Sequence, residues 1–206
     1  EFGGGDRSML GPRFIARIEG RRLLLCTTPT VGALYGERFG LSLRNHAASL
    51  ESLTIDVDEA SKTIQTLAEL CERIRAAGIG RRDILVALGG GVIGDVVRMA
   101  ASMVRRGVAH VCIPTTFVGQ IDAALGVKAA VNFNGSKSFL GAFHAPEAVW
   151  IDPDLLATLP ADRLRDGFAE ALKVAIVRDA DLFATIERHG PSLIASGFGD
   201  DQPMGE

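Results

Sequence analysis

The chain has 206 residues, 47% of them hydrophobic, and a formal net charge of −3 from 22 lysines and arginines against 25 aspartates and glutamates. That is enough apolar material for at least one full core, while scattered cations under a net negative charge give no basic face for nucleic acid. The longest apolar stretches, such as 84–88 and 149–151, fall far short of a membrane span, and the N-terminus lacks a basic-then-apolar signal pattern, so a cytoplasmic protein with no membrane partner is expected.

Residues 1–8 read as a cloning remnant or flexible leader before Met9, and 1–19 as a leader with a short N-terminal segment. Residues 22–27 then read as a parallel strand, and 31–39 as a helix begun by the turn Thr28-Pro29-Thr30. The next strand is expected at 53–57. Ser61 is expected to cap a helix with apolar positions at Ile64, Leu67, Ala68, Cys71 and Ile74, ending before Gly78. A third strand, 84–88, runs into glycines, followed by a helix over about 94–104, a strand at 108–113 and a turn at Pro114. Strands alternating with helices predict an α/β fold: a Rossmann-like parallel sheet with helices on both faces. From Pro160 the pattern turns helical, with Asp162 placed to cap a helix to about 177 and a second helix starting at 180, the start of an all-helical domain. The last ten residues, 197–206, form a polar Gly/Asp/Pro-rich tail. Cys26, Cys71 and Cys112 have no metal-ligand spacing and read as reduced thiols, and the four histidines form no local metal motif.

Gly89-Gly90-Gly91-Val92-Ile93-Gly94 satisfies G-x-G-x-x-G between a strand and a helix, the context that holds a dinucleotide pyrophosphate on helix amides. By itself the motif is weak, a tight turn that needs glycines being the plain alternative, and the acidic residue usual about twenty positions later is absent, which disfavours a plain Rossmann dehydrogenase. Asp95 follows in what reads as the first helical turn, so a dipole or capping role is its default and a ligand contact the alternative. Lys62 and Glu59 lie at another strand-to-helix junction, able to reach a phosphate or ribose or simply to solvate a helix start. Arg106, Asp122, Lys128 and Lys137 lie in or beside a Gly/Ala-rich stretch that does not need long cations for a solvated face, and a phosphorylated substrate would use them; surface lysines are the plain alternative. Glu170 and Lys173, at i and i+3, fit an ordinary intrahelical ion pair. Ligands of such sheets bind beyond the strand carboxyl ends, where the glycines, Thr115, Thr116 and Thr28 converge.

Taken together, Glu59-x-x-Lys62, Gly89 to Asp95 of the glycine run, Arg106-Gly107, Pro114-Thr115-Thr116, Asp122, Lys128-x-x-Val131-Asn132, Lys137, Gly141-Ala142-Phe143, Asp152, Thr158-Leu159-Pro160 and Gly167-x-Ala169-Glu170-x-x-Lys173 resemble the 3-dehydroquinate synthase superfamily of sugar phosphate cyclases over roughly 20–195. Val127 and Ala129 around Lys128, with Gly119-Gln120-Ile121-Asp122 and Glu187-Arg188-His189-Gly190, are similar to the branch that converts sedoheptulose 7-phosphate to 2-epi-5-epi-valiolone. The resemblance implies an NAD-binding domain over 20–160 and the beginning of a helical metal and substrate domain over 161–206. It implies a homodimeric lyase that uses NAD and a divalent zinc or cobalt ion to eliminate phosphate from a sugar phosphate and close a ring. By position, Gly90, Gly91, Asp95, Thr115, Thr116, Thr158 and Leu159 would hold NAD, with Glu59 and Lys62 near its ribose. Asp122, Lys128, Lys137 and Lys173 would serve cofactor and substrate together, Arg106 would take phosphate in its own or the neighbouring subunit, and Glu170 would be one metal ligand.

Three departures stand out. The family's two histidine metal ligands lie on later helices than this chain contains, Ser138 replaces an asparagine after Lys137, and Thr27-Thr28 replaces an acidic residue. A C-terminally truncated cyclase, inactive alone, is the resulting expectation. A 3-dehydroquinate synthase, a non-catalytic NAD-binding or scaffold homologue, and a metal-dependent polyol dehydrogenase are the alternatives.

Overall fold

A computed structural model describes residues 10–196; the tail at 197–206 and the leader at 1–8 lie outside them. Helix α1 (Pro12–Ile18) opens the described chain, with Pro12 in its first turn and Phe14 and Ile18 buried. Strand β1 (Arg22–Thr27) follows, then α2 (Pro29–Arg44), β2 (Ser49–Thr54), α3 (Ile64–Ala76), β3 (Ile84–Gly89), α4 (Gly91–Met103) and β4 (Ala109–Pro114). A hairpin comes next, β5 (Lys128–Phe133) with β6 (Ser136–Phe143), then the short strand β7 (Ala148–Val149) and helices α5 (Ala161–Arg178) and α6 (Ala180–Ser196).

Five strands form one sheet in the order β2-β1-β3-β4-β7, every pair parallel. The expected fold class is therefore what the chain adopts: a Rossmann-like parallel sheet covered on both faces, followed by helices. All six positions of β3 are buried, which is why its apolar run is continuous rather than alternating. Leu24, Cys26, Leu85 and Ala87 face α3, α4 and the hairpin, while Leu23, Leu25, Ile84 and Val86 face α1 and α2. Burying a leucine or isoleucine of this kind contributes about 1.5–3 kcal/mol, so these two layers supply most of the stabilisation.

Several boundaries differ from expectation, each for a local reason. The second strand is Ser49–Thr54, not 53–57, because an edge strand paired only with β1 is largely exposed and carries little apolar pattern. Thr63 rather than Ser61 caps α3, accepting from the Thr66 amide, because the Ser61 hydroxyl is bound to the Asp58 carboxylate at 2.7 Å. Pro160, not Asp162, stands at the N-cap of α5, leaving Asp162 in the first turn, where it favours the helix dipole. Helix α4 begins at Gly91 rather than 94, so Asp95 lies beyond the first turn and is not a cap.

Candidate functional site

The order β2-β1-β3-β4-β7 reverses direction between β1 and β3, and the crevice outside such a reversal is where ligands of open α/β sheets bind. The glycine run leaves β3 there. Gly89 has φ +152, and a Cβ on it would meet Ile93 Cγ2 at 2.5 Å. Gly90 has an ordinary φ of −78, so space and not backbone excludes a side chain: a Cβ would lie 2.8 Å from Thr116 Cγ2. As N-cap of α4, Gly90 offers no side-chain cap to the first-turn amides, and no acidic residue occupies that turn. The result is a bare amide nest at the positive end of a 13-residue helix, suited to an anion. Thr115 and Thr116 lie against it: the Thr115 amide donates to Gly89 O at 3.0 Å, and Thr116 Oγ1 accepts from Gly119 N at 3.1 Å.

Beside the nest opens a cleft of about 850 Å³ lined by Asp95, Arg98, Asp122, Lys128, Ser138 and Phe143, among others. A π-helical turn, Gly119–Ala123, supplies Asp122, and the hairpin supplies Lys128. A second cleft, of about 370 Å³, contains Glu59, Asn132 and Lys137. The two are joined by a line of alternating charges. Lys137 lies 3.6 Å from Glu59, Glu59 4.0 Å from Lys62, and Lys62 2.6 Å from Asp95. The outer pair is largely exposed and contributes little, whereas Lys62 is only 3% exposed. Burial pushes the Asp95 carboxyl above its ordinary range, and the Lys62 ammonium only partly offsets that. Lys62 is thus committed to Asp95 and supports the cleft wall rather than projecting into it.

Helix α5 brings Glu170 and Lys173 near the same region. They form the expected i, i+3 ion pair, and the Glu170 carboxylate, with Asp122 adding in the same direction, holds the Lys173 ammonium above its usual range. The helix seats on Phe117 through Gly167, where a Cβ would come within 2.3 Å of the ring.

Two expected groups lie elsewhere. The Thr158 hydroxyl shares a 2.6 Å hydrogen bond with Tyr35 on α2, and neither Thr158 nor Leu159 lines either cleft. Arg106 is exposed beyond the C-terminal end of α4, and twelve helical steps of 1.5 Å set it roughly 18 Å or more along the axis from the nest. It stands in a left-handed pair with Arg105, at φ 65 and 54. Arg106 therefore does not serve the nest of its own chain.

One residue of the site escaped the sequence reading. Arg98 is 1% exposed on the buried face of α4, and its guanidinium binds three backbone carbonyls of the cleft wall. A lone arginine in the apolar run Val96 to Ala101 was the signal, since such a charge is almost never fully buried without partners.

The nest, with its missing Cβ atoms and uncapped amides, fits a dinucleotide pyrophosphate. A catalytic metal does not fit the described residues: no group of three histidine, cysteine or acidic side chains is assembled among them, and Glu170 is engaged by Lys173. Among the described residues no helix is long and apolar enough to cross a membrane.

A glycine nest at the turning point of a parallel sheet, with a charged cleft adjoining it at Ala123 and helices following, defines a dinucleotide-type α/β domain with a helical continuation. Residues 52–166 match the family model of the 3-dehydroquinate synthase N-terminal region, and the chain belongs to that family of sugar phosphate cyclases. A 3-dehydroquinate synthase of Zymomonas mobilis is 41% identical over 177 residues, 86% of this chain and 47% of that protein. A 2-epi-5-epi-valiolone synthase of Streptomyces hygroscopicus subsp. jinggangensis, solved with NAD+ and Zn2+ bound, superposes with a TM-score of 0.84 at 38% identity, over 96% of this chain and 57% of that one. A 2-deoxy-scyllo-inosose synthase complexed with carbaglucose-6-phosphate, NAD+ and Co2+ gives a TM-score of 0.69 at 31% identity, over 79% and 44%. The chain spans about half the length of the curated relatives it matches.

Proposed function

We propose that this chain carries the nucleotide side of a sugar phosphate cyclase site, binding NAD over the domain 20–160, in an enzyme that converts sedoheptulose 7-phosphate to 2-epi-5-epi-valiolone with loss of phosphate. The observation that carries this reading is the uncapped glycine nest, next to a cleft that holds Asp122 and Lys128 and shares Ala123 with the nest's own lining. The amides of Gly91 and its successors would hold the pyrophosphate, with Thr115 and Thr116 shaping the nest. NAD, held by these amides, would supply reversible hydride transfer at a substrate carbinol carbon. Asp122 would accept hydrogen bonds from substrate or ribose hydroxyls. Lys128 and Lys137 would offset phosphate charge from the hairpin side, and Lys173 would do so from α5. The distance of Arg106 from its own nest supports its use by a second copy in a homodimer. Glu170 would join a metal site only with ligands from outside the described residues. We therefore propose that this chain alone binds the dinucleotide without turning over.

Calorimetry with NAD tests the reading. Micromolar binding supports it, and no binding by a folded chain overturns it. Substrate choice is tested on a longer chain that adds metal-binding helices: phosphate release from sedoheptulose 7-phosphate supports the valiolone branch, whereas release only from the dehydroquinate precursor supports the shikimate branch. The 41% identity to a 3-dehydroquinate synthase makes that second reading a specific one. Net NADH accumulation would instead indicate a polyol dehydrogenase.

A further inference from the structure

The cleft wall between Asp122 and Lys128 is anchored at its start, where Ala124 is buried in the core and the amides of Ala124, Leu125 and Gly126 donate to carbonyls of the preceding turn, and His144 N donates to Val127 O at 2.7 Å. Its apolar side chains Leu125 and Val127 are 50% and 44% exposed, so packing does little to set where the segment leaves Ala124 and enters Lys128. Arg98 ties those two ends together. Nη1 donates to Lys128 O at 2.7 Å, and Nη2 donates to Ala123 O at 3.0 Å and Ala124 O at 3.1 Å. One planar guanidinium thereby binds the residue after Asp122 and Lys128 itself, the two ends of the loop.

This use of an arginine is costly. The side chain is buried, its Nε has no hydrogen-bond partner, and the structure gives it no carboxylate within ion-pair distance among the described residues. The three carbonyl oxygens carry most of its solvation, with Cys112 Sγ at 4.0 Å as a weak fourth partner. A buried cation satisfied mainly by carbonyls is strongly destabilising unless those bonds persist, so the loop and the guanidinium stabilise one another. A lysine cannot replace it, because a single ammonium cannot reach both ends of the loop in the same plane.

We infer that Arg98 is a positioning residue that sets Asp122 and Lys128 at the cleft by clamping the carbonyls of Ala123, Ala124 and Lys128. The inference rests on the cleft being the NAD and substrate site proposed above. Two independent readouts keep the two apart. Hydrogen exchange at the amides of 124–128 reports the clamp without any ligand, and NAD affinity reports its use.

In Arg98→Lys, exchange over 124–128 is expected to rise about tenfold or more and NAD affinity to fall about tenfold, the loss of roughly one charge-assisted hydrogen bond. A double-mutant cycle separates positioning from general damage. In a Lys128→Ala background the same Arg98→Lys change should weaken NAD by less than about twofold, because the side chain being positioned is already gone. Should Arg98→Lys fail to fold, Arg98→Ala with millimolar guanidinium is the second route, with recovery of NAD affinity expected. Unchanged exchange and unchanged NAD affinity in Arg98→Lys would overturn the inference, as would losses that multiply fully in the cycle, or an Arg98→Ala protein that guanidinium leaves unimproved. If the wild-type chain bound no NAD while exchange still rose in the variant, the clamp would stand and the functional reading would fall.

Discussion

Replacing His110 with leucine should flatten the acid side of the stability profile. His110, the second residue of β4, is 0% exposed, neither ring nitrogen has a hydrogen-bond partner, and its ring stacks on His144 with centroids 5.0 Å apart. Burial first, then the neighbouring His144 and Arg98 charges, pushes its pKa from the ordinary 6.5 down to about 3. The folded value lies below the unfolded one, so as pH drops the unfolded chain takes the proton first. The neutral ring's contribution is complete above pH 6.5 and is lost as pH falls from there toward 3. Each pH unit in that window costs about 1.4 kcal/mol, so moving from pH 7 to pH 5 should remove roughly 2 kcal/mol. Asp95 works in the opposite sense, because its raised value makes acidification favour the folded state, but it is present in both proteins and cancels in the difference. Urea unfolding of wild type and His110→Leu at both pH values measures the effect. At pH 7 the variant should be at least as stable, since leucine removes two orphan nitrogens at similar volume. Parallel losses in the two proteins between pH 7 and pH 5 would refute the reasoning.

Three further perturbations probe the site. Gly90→Ala should keep the fold within about 1–3 kcal/mol, the ordinary cost of overpacking, yet abolish measurable NAD binding in calorimetry, because the new methyl group meets Thr116 across the nest. Lys62→Met should destabilise by about 1–2 kcal/mol in denaturant titration by leaving the partly buried Asp95 without its partner, and should raise the Asp95 pKa further, readable by carboxylate NMR. Gly167→Ala should lower stability by about 1–3 kcal/mol, because its Cβ collides with the base of the Phe117 ring rather than a flexible tip; faster hydrogen exchange in α5 than in β3 would place the damage there.

What the sequence reveals depends on burial. Strands β1, β3 and β4 are apolar runs buried on both sides, and a run of that kind can be read without a partner in view. The hairpin β5 and β6 carries little sequence pattern because most of β6 faces solvent, and its close packing depends on a missing side chain: at Gly141 a Cβ would stand 2.7 Å from Ala129 O. Helix α1 was hidden by its brevity and by the Gly11-Pro12 start, which reads as a turn. The glycine nest was legible because strand, glycines and helix are contiguous. Its surroundings are less so: the sequence leaves Lys62 open between a ligand contact and a solvated helix start, whereas the fold pairs it with Asp95, and Arg98 belongs to no motif because its partners are carbonyls, which carry no sequence signature.

The far edge of the sheet shows how little strand is needed when side chains finish the work. Strand β7 has two residues, yet the Gln120 amide donates to Pro114 O at 3.2 Å and to Asp152 O at 2.7 Å, and Asp152 in turn binds Arg38 at 2.8 Å. The border beyond β4 is thus tied by an amide and a carboxylate as well as by strand pairing. An edge strand of two residues offers a neighbouring chain little length on which to extend the sheet.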